Sequence, residues 1–260
     1  MSTDYIPVNA GRNGPTYICH ILQSHPTEGG SKMGPDKARR ESRASLSFPV
    51  FVGLILSLFG TPLLGRLGLL RWVEVSAAGS FLATSLASWL LVGTILVLVV
   101  YWERRQLPSI GLRVPDRKEV AVGLGAGLGG AVLGLLVTGV AVVTLNLEQP
   151  ETLSAIGQLS LPVQIAVVGT AVVTEEILWR GYPIERLTEL TGSVWVGAVV
   201  SGFVFLAVHF PSWGLVGAIP QAVFTVVLVG VYVWSRNIVA SMLTHGIINL
   251  IMIFVLPAFL

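Results

Sequence analysis

From about residue 46 onward, apolar runs of spanning length recur along this chain. They fall at roughly Leu46–Leu64, Ala77–Trp102, Val120–Leu145, Leu161–Leu190, Val194–Phe210, Gly214–Trp234 and Ile238–Pro257. About 20 apolar residues in a helix cross a bilayer, so each run predicts a transmembrane helix. The predicted fold class is all-α, a polytopic membrane bundle of about seven transmembrane helices. Gly60-Thr61-Pro62 predicts a kink in the first run. The fourth run is longer than a bilayer requires and must tilt, bend or protrude. Its expected bend is Pro183, whose ring clashes with the carbonyl of Trp179. In the fifth run, Pro211 pushes Phe210 out of helical geometry, which predicts that His209 occupies the last helical turn.

Before these runs the pattern is different. Residues 1–45 are a polar segment with Gly, Pro, Ser and Asn throughout, and its one apolar stretch, Tyr17–Leu22, is too short for a signal-peptide core and carries a histidine. They are expected to form a disordered cytoplasmic segment ahead of a membrane domain at 46–260, with Met33 as an alternative start. His20, His25 and the lone Cys19 lie there, without neighbours at metal-ligand spacing. Positive residues set the orientation. Of the 16 Lys and Arg, only Arg66 and Arg71 fall in loops assigned to the outside when the N-terminus is cytoplasmic.

Composition then excludes a soluble domain. The chain is 53% hydrophobic and 12% charged, against about 25% charged in soluble proteins. Nothing in it points to nucleic acid, and its surroundings are membrane lipid. In the third run, Gly125-Ala126-Gly127-Leu128-Gly129-Gly130 has the spelling of a dinucleotide fingerprint. It follows no strand, so Gly123/Gly127 and Gly130/Gly134 are read instead as small-xxx-small pairs for close helix packing.

Ionisable groups inside lipid are costly and by default mark function. The fourth run carries Glu175, Glu176 and Arg180. Glu176 and Arg180 are an i,i+4 pair, predicted to be a buried supporting ion pair. On an ideal helix, Glu175 points roughly 140° from Arg180. His209 lies in the fifth run, and His245 and Asn249 share a face of the seventh. Counting about 1.5 Å per residue from the cytoplasmic ends puts Glu175, His209 and Asn249 at one depth, with His245 a turn away. The structural reading of such residues is interhelical glue. The chemical one is hydrolysis. A partly desolvated carboxylate accepts a proton from water, a histidine holds that water, and His245 and Asn249 donate to an oxyanion. A divalent metal such as zinc, if one is used, would take Glu175, His209 and His245. The spacing leaves both forms open.

Glu175-Glu176-x-x-x-Arg180, Phe205-x-x-x-His209 and His245-x-x-x-Asn249 resemble, in order, the motifs of the CPBP intramembrane protease family, which includes CAAX prenyl endopeptidase type II. The likeness covers about residues 160–255, the core of such a protease, and includes Gly181 and the Trp234-Ser235-Arg236-Asn237 turn. It implies a prokaryotic plasma-membrane endopeptidase acting on membrane-associated protein or peptide substrates. Glu175 would be the base, His209 its water-positioning partner, and His245 and Asn249 the oxyanion donors, with Glu176 and Arg180 in support. The alternative is a non-hydrolytic membrane scaffold or bacteriocin-immunity protein of the same fold.

Overall fold

The computed structural model describes residues 48–67, 76–146 and 155–255. The segment 1–45 lies outside the described residues. The described residues contain helices and no strand. They are α1 (Phe48–Leu67), α2 (Ala77–Val97), α3 (Arg117–Leu145), α4 (Leu161–Glu176), α5 (Tyr182–Thr191), α6 (Val194–Ser235) and α7 (Ile238–Asn249). Wider π turns extend α2 through Leu98–Trp102, join α4 to α5 through Ile177–Gly181, and extend α7 through Leu250–Val255. Five of the resulting stretches are long and apolar enough to cross a membrane, and Phe48–Leu64 is a shorter apolar helix. The protein is an all-α integral membrane bundle.

At 42 residues, α6 would reach about 63 Å as one rod, twice the hydrocarbon thickness. It is broken at Gly214, whose φ of 59° and ψ of −166° are nearly closed to any residue with a Cβ. The two halves are therefore separate crossings. This moves the end of the fifth helix. His209 is not in a last turn, because the chain stays helical through Phe210 and Pro211 to Gly214. Proline removes one backbone bond and bends a helix without having to end it. Likewise α1 stays helical through Pro62, and α4 passes into α5 without a break before Pro183.

Local signals set the helix starts. Ser76 accepts from Gly79 N at the start of α2, and Asn237 accepts from Val239 N at the start of α7. Asp116 and Glu119 form a reciprocal capping box at the start of α3.

Small residues set the packing of α3. A Cβ at Gly123 would lie 2.7 Å from Ala240 O, and one at Gly127 2.7 Å from Ile247 Cβ. One at Gly134 would collide with the Phe224 ring. The interleaved Gly125, Gly129 and Gly139 have nothing within 4 Å. The first set therefore lets α3 approach α7 and the second half of α6, as the small-xxx-small spacing predicts. Thr244 Oγ1 donates to Gly123 O at 3.0 Å across the same contact. Gly123→Leu should destabilise the bundle by roughly 1–3 kcal/mol through overpacking against backbone, and Gly125→Leu should not. Unfolding of the two variants in the same detergent checks this contrast.

One end of the bundle is fastened by charge. There the segment between α2 and α3 tucks beneath the helices, with Ile110 fully buried. Gly111 (φ 79°) turns the chain, and its carbonyl accepts from Ile238 N at 2.9 Å. Arg186 on α5, fully buried, pairs with Glu103 at 2.6 Å and donates to Ser109 O at 3.2 Å. Tyr182 donates to the other Glu103 oxygen at 2.6 Å. Its hydroxyl occupies the space that a Cβ on Gly53 of α1 would fill. Glu119 is held by Arg113 and by Asn237 at 3.1 Å, and Glu185 by Tyr232 at 2.7 Å and by Arg236. These contacts tie α1, α2, α3, α5, α6 and α7 together at a single end.

Candidate active site

Glu175 and Glu176 are adjacent at the end of α4, so they face different neighbours. Glu175 Oε1 lies 3.7 Å from His209 Nε2 on the first half of α6. His209 Nδ1 lies 2.7 Å from Phe205 O. A carbonyl oxygen only accepts, so Nδ1 carries the proton and donates. In the neutral ring Nε2 is then a bare acceptor facing a carboxylate. At 3.7 Å the two are too far apart for a direct hydrogen bond. They are close enough for one water to donate to both. Both side chains are about one-fifth exposed.

Glu176 is fully buried and makes a second pair, with α7. His245 Nδ1 lies 2.9 Å from Glu176 Oε1, and Ser241 Oγ donates to Glu176 Oε2 at 2.5 Å. Arg180 Nη1 stands 3.4 Å from Glu176 Oε1. The predicted i,i+4 ion pair is therefore present by distance. Yet Nη1 and Nη2 make no hydrogen bond among the described residues, so the pair is not aligned as a fork. The π turn at Ile177–Gly181 lies between the two residues, so they are not related by a regular i,i+4 step. Arg180 and His245 both lie within electrostatic reach of Glu175.

The π turn leaves carbonyls to be satisfied, which lipid cannot do. Tyr182 N bonds Ile177 O, an i→i+5 link. By the same step the partner of Leu178 O would be Pro183, which has no N–H. Leu178 O instead accepts from Ser57 of α1, and Trp179 O from Ser201 of α6. Trp179 packs edge-on against Phe205 and His209, with ring centres 5.2 and 5.4 Å apart. The Arg180 guanidinium lies 4.2 Å from the Phe205 ring centre, where the ring face offsets part of its desolvation.

Each residue singled out in the sequence now has a place. Glu175 meets His209, and Glu176 meets Arg180 and His245. Asn249 lies one turn beyond His245, half-buried and without a hydrogen bond among the described residues. The set that a metal would take is not gathered. Among the described residues no three His, Cys, Asp or Glu side chains converge on one point, and His245 Nδ1 is committed to Glu176. Sequence reasoning missed Ser57, Ser201 and Ser241. The i,i+4 spacing of Ser241 from His245 was the available signal for the last.

No curated protein and no solved structure matches the chain. A family model does match, over residues 157–251, and it describes type II CAAX prenyl endopeptidases, Rce1-like. The match runs from the start of α4 to the end of α7 and takes in both glutamate–histidine pairs. Over residues 157–251 of its 260, the chain is similar to the Rce1-like type II CAAX prenyl endopeptidases.

Proposed function

We propose that the chain is an intramembrane endopeptidase that hydrolyses membrane-associated protein or peptide substrates with water activated by Glu175 and His209. The observation that carries this reading is the 3.7 Å separation of Glu175 Oε1 from His209 Nε2, with His209 Nδ1 donated to Phe205 O. Two acceptors at that spacing hold a water by its two hydrogens. The water's lone pair is left for a peptide carbonyl. Glu175 takes a proton as the oxygen attacks, and returns it to the leaving amine.

The negative oxygen of the tetrahedral intermediate needs donors. Asn249 has an uncommitted carboxamide on the face of α7 that carries His245. His245 keeps its Nδ1–H on the Glu176 carboxylate and supplies Nε2–H as a second donor when the ring takes up a second proton. Asn249→Ala should therefore lower the cleavage rate by roughly 10²–10³, as loss of one oxyanion donor does. Rates on a cleaved peptide, with KM measured alongside, check it.

The test of the reading is cleavage of membrane-anchored peptides by purified protein in lipid, with and without chelator. Cleavage that persists in chelator is the expected result. Loss of activity in chelator, restored by zinc, would overturn the metal-free form and move Glu175, His209 and His245 to metal ligands. No cleavage of any anchored peptide would favour the scaffold or immunity reading.

A further inference from the structure

Ser241 is fully buried one turn before His245, and the proposed reaction gives it no part. Its single hydroxyl hydrogen has two acceptors in reach, Glu176 Oε2 at 2.5 Å and Leu228 O at 3.3 Å, and the shorter contact takes it. The other carboxylate oxygen faces His245 Nδ1 at 2.9 Å. A guanidinium and a carboxylate this close ordinarily close into a two-point fork. Here they do not. Arg180 Nη1 stops at 3.4 Å, and both Nη nitrogens are buried without a hydrogen-bond partner among the described residues. The carboxylate is turned from its strongest available partner toward a serine and a histidine.

We infer that Ser241 is a positioning residue, whose hydroxyl holds the Glu176 carboxylate against the pull of Arg180 and thereby fixes the proton of His245 on Nδ1. The donors around Glu176 require this placement. With Ser241 on one oxygen and Arg180 beside the other, the carboxylate is ionised and can only accept. The hydrogen between Glu176 and His245 therefore belongs to the ring. Nε2 is left as the ring atom free for the reaction. Removing the hydroxyl frees Oε2, and the carboxylate swings to the two idle nitrogens of Arg180. His245 then loses the acceptor that sets its tautomer. Other polar side chains do not replace it. Thr244, also on α7, is committed to Gly123 O and Ala240 O.

The inference rests on the hydrolytic reading only for its effect on turnover. Its primary test is spectroscopic and needs no substrate. The full chain, labelled with ¹⁵N-histidine in lipid bilayers, gives signals from His20, His25, His209 and His245. Loss of one set in His245→Gln assigns that residue. Wild type should show a proton on His245 Nδ1. Ser241→Ala should convert this to a mixture of tautomers and lower kcat roughly 10–100-fold, the range for losing the partner that orients a functional histidine, with KM unchanged. Ser241→Thr, which keeps the hydroxyl, should restore both. Should Ser241→Ala fail to fold, Ser241→Cys makes the same comparison, since a thiol of similar size is a weak donor. A wild-type His245 with a bare Nδ1 overturns the inference. So does a variant that loses turnover while the His245 signals stay as they were. If wild type cleaves no peptide, the proposed function fails and the tautomer still decides this question.

Discussion

Glu175→Gln should lower peptide cleavage by roughly 10²–10⁴, the usual contribution of a positioned general base. Its thermal unfolding should match wild type. The two outcomes follow from different features of one side chain. Glutamine keeps the length and an oxygen that can accept from water, so the approach to His209 survives. It cannot take the proton. Glu175 is also the less buried of the two adjacent glutamates, with about one-fifth of its side chain exposed, so losing its charge strands no partner. His209 keeps its own bond to Phe205 O. The measurements are kcat/KM on an anchored peptide and an unfolding curve on the same preparation. Retained proteolysis in Glu175→Gln would refute the assignment of the base.

Arg186→Met is expected to have the largest effect on stability. Arg186 and Glu103 are both essentially unexposed, and Arg186 also reaches Ser109 and Glu189. Removing one member of a buried pair costs roughly 3–5 kcal/mol, because the other charge stays buried. Methionine keeps most of the stem volume, so the loss is chiefly of charge and hydrogen bonds. Pairing it with Glu103→Gln should return part of the stability, since the stranded carboxylate is then gone. Denaturation of the two single variants and the double variant measures the coupling. Additive losses would show that the pair does not act as a unit.

The apolar runs were legible because spanning length is a strong constraint, and all seven reappear as helical rods once α6 is divided at Gly214. The glycine stripe of α3 was legible for a similar reason: spacing alone selects the face, and Gly123 and Gly127 lie on it while Gly125 does not. The motif residues could be found from their cost in lipid. Their pairing could not. A wheel of 100° per residue assumes an unbroken α-helix between Glu175 and Arg180, and the π turn at Ile177–Gly181 violates that assumption. Depth counting set His245 a turn from Glu175, and the structure gives that histidine to Glu176. The charged end of the bundle was hidden for another reason. Glu103, Arg113 and Glu119 sit among loop charges that the orientation rule only counts. Asp116-x-x-Glu119 was the one local signal there, readable as a helix start.

The ion pairs that fasten the bundle between its helices cluster where α5 ends and α7 begins. Among the described residues none joins helices at the far end, where α3 finishes and α4 starts. Mechanically this is a clothes-peg rather than a barrel. The hinge is electrostatic, while toward the jaws apolar contact dominates, which lipid tails can match, with Trp89 Nε1 donating to Thr170 Oγ1 at 3.1 Å between α2 and α4. The two glutamates lie between hinge and jaws.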